Sequence, residues 1–597
     1  MERDITIKIT SGLLVSLLIS ANLSATGQEK KQELKKEVEV VKPYEPNVSE
    51  VSKINEMPQI RQQESEKPTF EYSIKSDPVF PQFNVEPVQA ARMVEDPGPE
   101  QGHGLVKLGF GNYLTPYGEV FLNSGAGKNT TLGIHYRHLS SHGKVRLRNG
   151  DQVKAPSSDN NAEFFMNHYF RDSTALKAKL FFDRQGFSYY GYAGEQADDE
   201  IKEALIPFWN EKQALTGGGI DLQLNGNDKQ GINYEADFIF QRYGSKTGQK
   251  GNLVRLGGQI NKNFDSFQGR LNAFLTVEGT DSVHHETSET FTQRESAVLE
   301  LNPSVFIKSD MASVRLGIKA YMVTDADQVE DVMFTPNIKA SWSPVKNWLT
   351  LFGGIDGNLQ QNHYLAIARE NQFVNPYHNV KNTKYRYIIN GGVSGRVTPQ
   401  LNYKFQADYS AIRDYHFFIL KNKYAANDLF ENELITRSNT FDVIYDKVKQ
   451  LSIGGEIHYA TSETLDFLLK GTYHSYETNS QPEAWQQPNF EASASVRVKP
   501  EGPFSFTADV NYVGEREALI AGELFDQGTS SFQPYSAGTS VISMNAILDM
   551  NFSIEYEFTS QLSFWTRVNN FSAQKYDRWQ GYTSKGINVL LGLSYSF

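Results

Sequence analysis

The residues with the clearest potential for metal chemistry form the tripeptide His284–Glu286. Its two imidazoles and one carboxylate belong to the groups that bind Zn²⁺ in proteins. Adjacent side chains of an extended segment point in opposite directions, however, and this stretch lies in a predicted exposed loop. The sequence therefore predicts no metal site and no cofactor.

Two other patterns of reactive residues are candidates for a nucleotide site and a catalytic site, and the sequence predicts neither. Gly125–Lys128 resembles a phosphate loop, but Leu122 stands where the first glycine belongs and Asn129 replaces the required Ser or Thr. A polar hairpin loop is the preferred interpretation. Three further histidines have no nucleophile tied to them: His416, His458 and His474. No pair of carboxylates has a spacing that singles it out for acid/base chemistry. We expect no enzymatic activity.

The bulk composition excludes several classes of protein. The chain of 597 residues has no cysteine, which excludes disulfides, thiolate metal sites, a cysteine nucleophile and a lipoprotein anchor. A net charge of -12 argues against a nucleic-acid partner. Mean hydropathy is low at -0.48, yet 12% of the residues are aromatic. This combination is typical of a sheet with one face in lipid and one face in water.

The last strand is the most informative element. Its apolar residues alternate with smaller, mostly polar ones. The apolar residues are Val589, Leu591, Leu593, Tyr595 and Phe597. A β-barrel of a bacterial outer membrane commonly ends on such a strand, because its closing strand comes last. We predict that these five residues form the signal that the barrel-assembly machinery reads.

The same period-two alternation recurs from Gly104 onward, and three details favour a membrane barrel over a soluble all-β protein. The predicted strands often exceed about ten residues, whereas soluble strands average about five or six. Their polar face carries full charges, as at Arg270 and Lys404. Tight turns such as Val397–Gln400 alternate with long polar loops. The long loops are Arg148–Asn160, Ala193–Gly217, Asp281–Arg294, Gln360–Lys384 and Ala425–Asn439.

The predicted fold class is therefore all-β, a transmembrane antiparallel barrel formed by residues 104–597. Beyond the N-terminus no run reaches the roughly 18 apolar residues of a spanning helix. A closed barrel is then the only way to satisfy every backbone group in lipid. At roughly 22 residues per strand with its connection, the region holds about 22 strands, within a range of about 18 to 24.

Two segments precede the predicted barrel. Residues 1–27 resemble a signal peptide, with Arg3 and Lys8 before an apolar run and small residues at a suitable cleavage site. Residues 28–103 are rich in charge and then in proline, which predicts an extended periplasmic arm or a small plug.

Aromatic and histidine side chains near strand ends are expected to mark the membrane interface. Six aromatic residues are assigned to such a girdle: Tyr113, Tyr117, Tyr243, Tyr387, Tyr512 and Trp565. His135 and His138 are placed at the interface or in the lumen. The loop from Asn362 to Tyr387 either contacts an external ligand or packs on the barrel mouth, and packing is the preferred interpretation.

The C-terminal third resembles the end of TonB-dependent outer-membrane receptors. Trp565–Phe571 leads into Lys575–Tyr576, then Trp579–Tyr582 and Gly586, before the final strand that ends in Phe. Leu351–Gly354 and the segment from Glu370 to Pro376 also look like barrel segments of that family. The resemblance implies an outer-membrane location and solute uptake.

The N-terminal region departs from that family. Residues 28–103 are too short for the folded plug of these receptors, and their pattern differs. Glu37–Val41 resembles the segment that a TonB-type energy-coupling protein pulls, although a charged linker is the preferred interpretation. The alternative function is a plugless structural or assembly subunit that docks onto other envelope proteins. Besides these proteins, the expected partners are outer-membrane lipid and the barrel-assembly machinery. The substrate and the oligomeric state stay open.

Overall fold

A computed structural model describes residues 103–124, 129–148, 150–170, 173–191, 212–227, 231–281, 295–325, 328–375, 378, 380–421, 439–461, 464–521 and 540–597. The predicted signal peptide, the predicted arm up to residue 102, and the segments Gly125–Lys128 and His284–Glu286 lie outside these ranges. The predictions made for them stay predictions. Among the described residues, no helix is long and apolar enough to cross a membrane.

The described chain is built almost entirely of β-strands. In chain order they are β1 (Gly104–Gly111), β2 (Thr115–Asn123), β3 (Thr130–Ser141), β4 (Lys144–Arg146), β5 (Gln152–Lys154), β6 (Ser157–Tyr169), β7 (Ala175–Ser188), β8 (Lys212–Asn227), β9 (Ile232–Ser245), β10 (Lys250–Asn263), β11 (Gln268–Thr280), β12 (Glu295–Lys308), β13 (Ala312–Asp325), β14 (Gln328–Val345), β15 (Leu349–Gln360), β16 (Thr383–Thr398), β17 (Leu401–Lys421), β18 (Phe441–Thr461), β19 (Leu465–Thr478), β20 (Phe490–Val498), β21 (Phe504–Val513), β22 (Arg516–Ala521), β23 (Ser540–Met544), β24 (Ile547–Glu557), β25 (Leu562–Asn569), β26 (Asp577–Trp579), β27 (Tyr582–Thr583) and β28 (Asn588–Ser596). One short helix, α1 (Tyr364–Glu370), lies between β15 and β16.

Twenty-two of these strands form a closed antiparallel barrel, which confirms the predicted fold class and strand number. Each barrel strand pairs with its neighbours along the chain, and β28 pairs with β1 from Leu105–Ser596 to Gly111–Leu590. The hairpin of β22 and β23 stands outside the ring and joins it through a short parallel contact between β22 and β17. Because the ring is closed, it leaves no unpaired sheet edge.

The strands have two chemically different faces, as their alternation predicts. On β11, Leu271, Leu275 and Val277 are each more than two-fifths exposed on the outside of the barrel. Thr276 and Glu278, which alternate with them, are buried on the inside. Other exposed apolar side chains include Leu108, Phe110, Ile134, Leu180, Phe182, Leu256, Ile260, Leu316, Ile318, Ile389, Phe405, Ile453, Phe564, Leu591 and Leu593. This apolar outer band suits contact with lipid tails.

The two ends of the barrel differ in their connections. One end, the turn mouth, carries connections of two to six residues, such as 399–400 and 309–311. The other end, the loop mouth, carries most of the long connections, including 361–382 and 570–587. Gly104, at the start of β1, and Phe597 lie together at the turn mouth, where each backbone N–H donates to the other carbonyl.

Two of the predicted loops are shorter than expected. Strands β5 and β6 begin inside Arg148–Asn160, and β8 begins inside Ala193–Gly217. Ser158, Asp159 and Asn160 are polar residues, yet they pair with the end of β3 and with β7. Strand pairing continues beyond the apolar band, where both faces are polar, so composition no longer separates strand from loop.

The seam between β1 and β28 has no room for a side chain at Gly109. A Cβ atom there would lie 2.5 Å from the ring of Trp565, whereas a Cβ at Gly118 would meet only Leu108 Cδ2 at 3.9 Å. We expect Gly109→Ala to destabilise the barrel by about 1–3 kcal/mol through overpacking. Urea unfolding followed by heat-modifiable electrophoretic mobility would measure the loss.

Gly118→Ala is the matched control, and it should change the unfolding midpoint little. Equal stability of the two variants would contradict the close packing at the seam.

Candidate functional site

The inner wall of the barrel is polar and densely hydrogen-bonded. Arg270 Nε donates to Asn261 Oδ1 at 2.6 Å, and Gln223 Nε2 donates to Glu235 Oε1 at 2.5 Å. Both contacts link neighbouring strands across the inside face. Charged side chains are held in the wall by such partners, so the lumen offers a hydrophilic surface to a solute.

The most connected group of this wall is the Asp356 carboxylate on β15. Lys319 Nζ lies 2.7 Å from Oδ1, and Lys339 Nζ lies 3.3 Å from Oδ2. The backbone N–H of Gly357 also donates to Oδ1 at 2.8 Å. One buried carboxylate thereby joins β13, β14 and β15. Its two lysine partners compensate its charge, and the contacts fix this part of the wall.

Three of the six predicted girdle aromatics point inward instead, which corrects that expectation. The rings of Trp565 and Tyr117 meet edge to face at 5.6 Å, and Tyr117 donates to Glu119 Oε2 at 2.6 Å. Tyr243 is 2% exposed and donates to Glu278 Oε1 at 2.5 Å. Tyr387 and Tyr512 are exposed as expected. Alternation fixes which residues share a face, but an aromatic residue near a strand end fits either face.

The two histidines of β3 lie on opposite faces. His135 Nε2 is 3.0 Å from Glu119 Oε1 on the inside. His138 Nδ1 is 2.7 Å from Asn160 Oδ1, in the polar part of the strand beyond the apolar band. Among the described residues, no group of three His, Asp or Glu side chains could hold a metal ion.

The loop mouth is covered by a structure that we call the cap. It consists of the connection 361–382 with α1, the tip of the β17–β18 hairpin (415–420 and 441–446), and the connection 570–587, in each case the described residues only. Helix α1 begins where His363 Nδ1 accepts the backbone N–H of Ala366 at 3.2 Å. It ends at Glu370, and the backbone N–H of the capping residue Asn371 still donates to Ile367 O.

The cap has its own apolar core. Phe418 and Phe441 of the hairpin and Leu365 of α1 are fully buried. Phe373 and Tyr582 stack at 3.5 Å between ring centroids, with 16° between their planes. Other members of the core come from the ends of barrel strands: Phe187, Tyr189, Leu215 and Tyr243. Burial on this scale is typical of a folded domain, so the loops of the mouth form one packed unit.

The cap bridges strands on different sides of the barrel. Gln185 on β7 donates to Gln372 Oε1 at 2.6 Å, and Asp183 on β7 forms an ion pair with Arg369 of α1. Strand β7 is separated from β15, where this connection starts, by the seven strands β8 to β14. Asn439, next to β18, donates to the carbonyl of Tyr189 at 3.0 Å. These contacts cross the mouth of the barrel.

A second network fixes the outer side of the cap. Asp446 Oδ2 accepts the backbone N–H groups of Asn479, Ser480 and Gln481 at 2.8–3.1 Å. The carboxylate thus anchors the connection between β19 and β20. Trp485 of that connection is fully buried and donates to Gln481 Oε1 at 2.9 Å. The β17–β18 hairpin is therefore held on both of its faces.

His378, whose Nε2 atom is buried, makes the cap sensitive to protons. The His378 Nδ1–H donates to the Asn375 carbonyl at 2.6 Å, and the ring stacks on Tyr364. Burial lowers the pKa of His378 from 6.5 to about 4, although Asp442 acts in the opposite direction. The imidazole is neutral at neutral pH for this reason.

The sequence located some of these residues but not their arrangement. The five predicted assembly-signal residues lie on β28 and at the C-terminal Phe597; four of them are exposed on the outer face, at Leu591, Leu593, Tyr595 and Phe597. Their recognition by the assembly machinery stays a prediction.

The loop from Asn362 packs on the barrel mouth, in agreement with the preferred interpretation. The cap core was missed, and its signal was the apolar run Phe417–Leu420, which does not alternate.

Comparison with solved structures supports the same architecture. The FrpB iron transporter from Neisseria meningitidis aligns with a TM-score of 0.61 at 10% identity, over 84% of this chain and 83% of that one. The ferripyoverdine receptor of the outer membrane of Pseudomonas aeruginosa aligns with a TM-score of 0.58 at 11% identity, over 84% and 72%. The copper transporter OprC aligns with a TM-score of 0.58 at 11% identity, over 83% and 80%.

The barrel, its apolar band and these similarities define a bacterial outer-membrane β-barrel. Its fold is that of TonB-dependent receptors, which confirms the predicted resemblance and location at the level of architecture. No known protein-family model matches the sequence, and no curated protein matches it either.

We expect the cap to loosen as pH falls. An unfolded His378 takes up a proton near pH 6.5 and the folded one only near pH 4, so protons favour the open form between these values. The stability of the cap should fall through this window, by roughly 2 kcal/mol at pH 5. Hydrogen exchange, read as protection factors of amides 364–375, would show the loss.

The control is His378→Gln, which keeps a polar side chain without the titration and should lose most of this pH dependence. Unchanged protection between pH 7 and pH 5 in the wild type would show that His378 does not destabilise the closed cap.

Proposed function

We propose that this protein takes up a solute across the outer membrane, through the barrel lumen, with the cap as its gate. The observation that carries the proposal is the bridged loop mouth above a polar lumen. A wall with charged groups such as Arg270 and Asp356 suits a hydrophilic solute. Three proteins that share the fold are called an iron transporter, a copper transporter and a receptor for ferripyoverdine.

The gating role follows from how the cap is built. Its segments are joined by side-chain packing, by side-chain hydrogen bonds, and by a β-bridge between Val374 and Phe441. A further contact, from Tyr582 Oη–H to the carbonyl of Asn439 at 2.6 Å, ties the cap to the residues just before β18. The barrel ladder beneath is closed independently of the cap by β1 and β28. The cap can therefore separate into its connections without breaking a barrel strand pair.

The proposal includes partners on both sides of the barrel. Lipid tails cover the outer band, and the assembly machinery recognises the outward residues of β28. A TonB-type energy-coupling protein would act from the turn mouth, where β1 begins and the predicted arm with Glu37–Val41 joins the barrel. Pulling on the arm would supply the work that opens the cap.

A second candidate function is a structural or assembly subunit of an envelope complex. The observation that favours it is the completeness of the cap core, in which Phe418, Phe441 and Leu365 are fully buried. A mouth packed in this way suits a barrel that stays shut and serves as a platform. The two functions differ in whether solute ever crosses the lumen.

Single-channel conductance of the purified protein in planar bilayers tests the gate. We expect the wild type to conduct weakly and the double variant Phe373→Ala/Tyr582→Ala to conduct several-fold more. Each truncation removes about 3–5 kcal/mol of packing from the cap. Phe571→Ala is the matched control, because Phe571 lies in the same connection as Tyr582 but is 65% exposed.

A double variant that folds and still conducts no better than Phe571→Ala would overturn the gate. Co-purification of a closed barrel with fixed envelope partners would then favour the structural candidate.

Deletion of residues 28–103 separates two roles for the predicted arm. If the arm acts as a plug, its removal in the cap variant should raise conductance further. If the arm is only a tether, conductance of that variant should stay the same while binding to the energy-coupling protein is lost.

A further inference from the structure

An open cavity of about 310 Å³, lined mostly by residues with polar side chains, lies where the cap meets the ends of β24, β25 and β28. This volume is at the lower end of the range of small-molecule sites in proteins. Strand residues Asp549, Asn569 and Asn588 line it, together with Lys585 and Tyr576 of the connection 570–587. The cavity thus sits between the fixed wall and the movable cap.

The first distinctive group in this cavity is the Asp549 carboxylate. Its Oδ1 atom is buried and has no hydrogen-bond partner, and its Oδ2 atom accepts only a long contact of 3.5 Å from Asn551. A buried carboxylate oxygen normally has a donor, because an unpaired one costs free energy. The negative charge of Asp549, together with burial as the larger cause, raises the pKa of Tyr576 in the same cavity. Asp549 lines the cavity, and its carboxylate keeps acceptor capacity for an occupant.

The second distinctive group is the Lys585 ammonium. Its Nζ donates to Ser157 Oγ at 3.2 Å, which uses one of three donors. Burial lowers the pKa of Lys585 from 10.5 to about 8. Lys585 and Asp549, both among the described residues, form no ion pair with each other. One cavity thus holds a positive and a negative group, each with capacity for a further partner.

The remaining lining supplies neutral donors and acceptors. Asn569 Nδ2 donates to Asn588 Oδ1 at 3.1 Å, and Asn588 Nδ2 donates to Asn112 Oδ1 at 2.8 Å. This chain of carboxamides fixes the floor of the cavity. Gln372 brings a further carboxamide from the α1 connection of the cap. Carboxamides can bond to both the N–H and the C=O of an amide.

We propose that this cavity binds a small zwitterion, an amino acid or a dipeptide, with its ammonium group on Asp549 and its carboxylate on Lys585. The carboxamides would receive the amide group of a dipeptide. This inference rests on the proposed uptake function and names its substrate class. Because Gln372 and Lys585 belong to the cap, an occupant would touch both the gate and the wall.

Isothermal titration calorimetry with three dipeptide probes tests the proposal on the purified full-length protein. Glycylglycine carries both charges, N-acetylglycylglycine carries only the carboxylate, and glycylglycinamide carries only the ammonium group. We expect glycylglycine to bind at least about tenfold more tightly than either analogue, since each lost charge leaves one charged group of the cavity without its counterpart on the ligand. The titration is repeated on Phe373→Ala/Tyr582→Ala, so that a closed cap cannot hide the cavity.

Two charge-neutralising variants assign the roles. Asp549→Asn should weaken glycylglycine binding about tenfold or more and abolish the preference over N-acetylglycylglycine. Lys585→Gln should also weaken glycylglycine binding about tenfold or more, and it should abolish the preference over glycylglycinamide. Lys575→Gln and Glu483→Gln are the matched controls, because both residues are exposed, lie in loop-mouth connections and do not line the cavity.

Absence of glycylglycine binding in both the wild type and the cap variant would overturn the proposal. Binding that is equal for the three probes, or unchanged in Asp549→Asn and Lys585→Gln, would also overturn it. The conductance experiment is independent of these titrations. A barrel that binds glycylglycine through Asp549 and Lys585 but never conducts would disprove uptake and leave the binding site in place.

Discussion

The structure depends on the pairing of its first and last strands. In lipid, an unpaired backbone N–H or C=O group costs several kcal/mol, so a sheet can cross the membrane only when it has no edge. The register from Leu105–Ser596 to Gly111–Leu590 supplies that closure. Gly109 and Gly592 face each other in this register, and the ring of Trp565 lies against both positions. Once the ring is shut, apolar residues can face lipid and charged residues can face the lumen all the way around.

Closure also explains how the described connections of the loop mouth can form a packed cap. The connections of the loop mouth start from fixed strand ends, so their apolar residues are held close together. Phe373, Asn439 and Tyr582 come from three different connections and meet over the lumen. The resulting core resembles that of a small globular domain, although its parts are separated by several barrel strands. Wall and cap are distinct structures, and the cavity around Asp549 and Lys585 lies where they meet.

The sequence predicts the barrel well because period-two alternation is a local signal. On β11, Leu271 and Leu275 face outward and Thr276 inward, as the pattern requires. The cap could not be predicted in the same way. Phe417–Leu420 is apolar at every position because both faces of the hairpin are buried, and a sequence does not show what covers them. A related ambiguity explains why the sequence places Tyr243 and Trp565 at the interface, since an aromatic ring suits either face of a strand end. The unpaired Oδ1 atom of Asp549 could not be predicted either, because its surroundings depend on where residues far apart in the chain lie.

The contacts of the cap span very long stretches of sequence. Tyr190 donates to the carbonyl of Thr583, 393 residues away, and Lys585 reaches Ser157 across 428 residues. A contact of this kind cannot form until nearly all of the intervening polypeptide is in place. The cap can therefore complete its contacts only after the last strands of the barrel have paired.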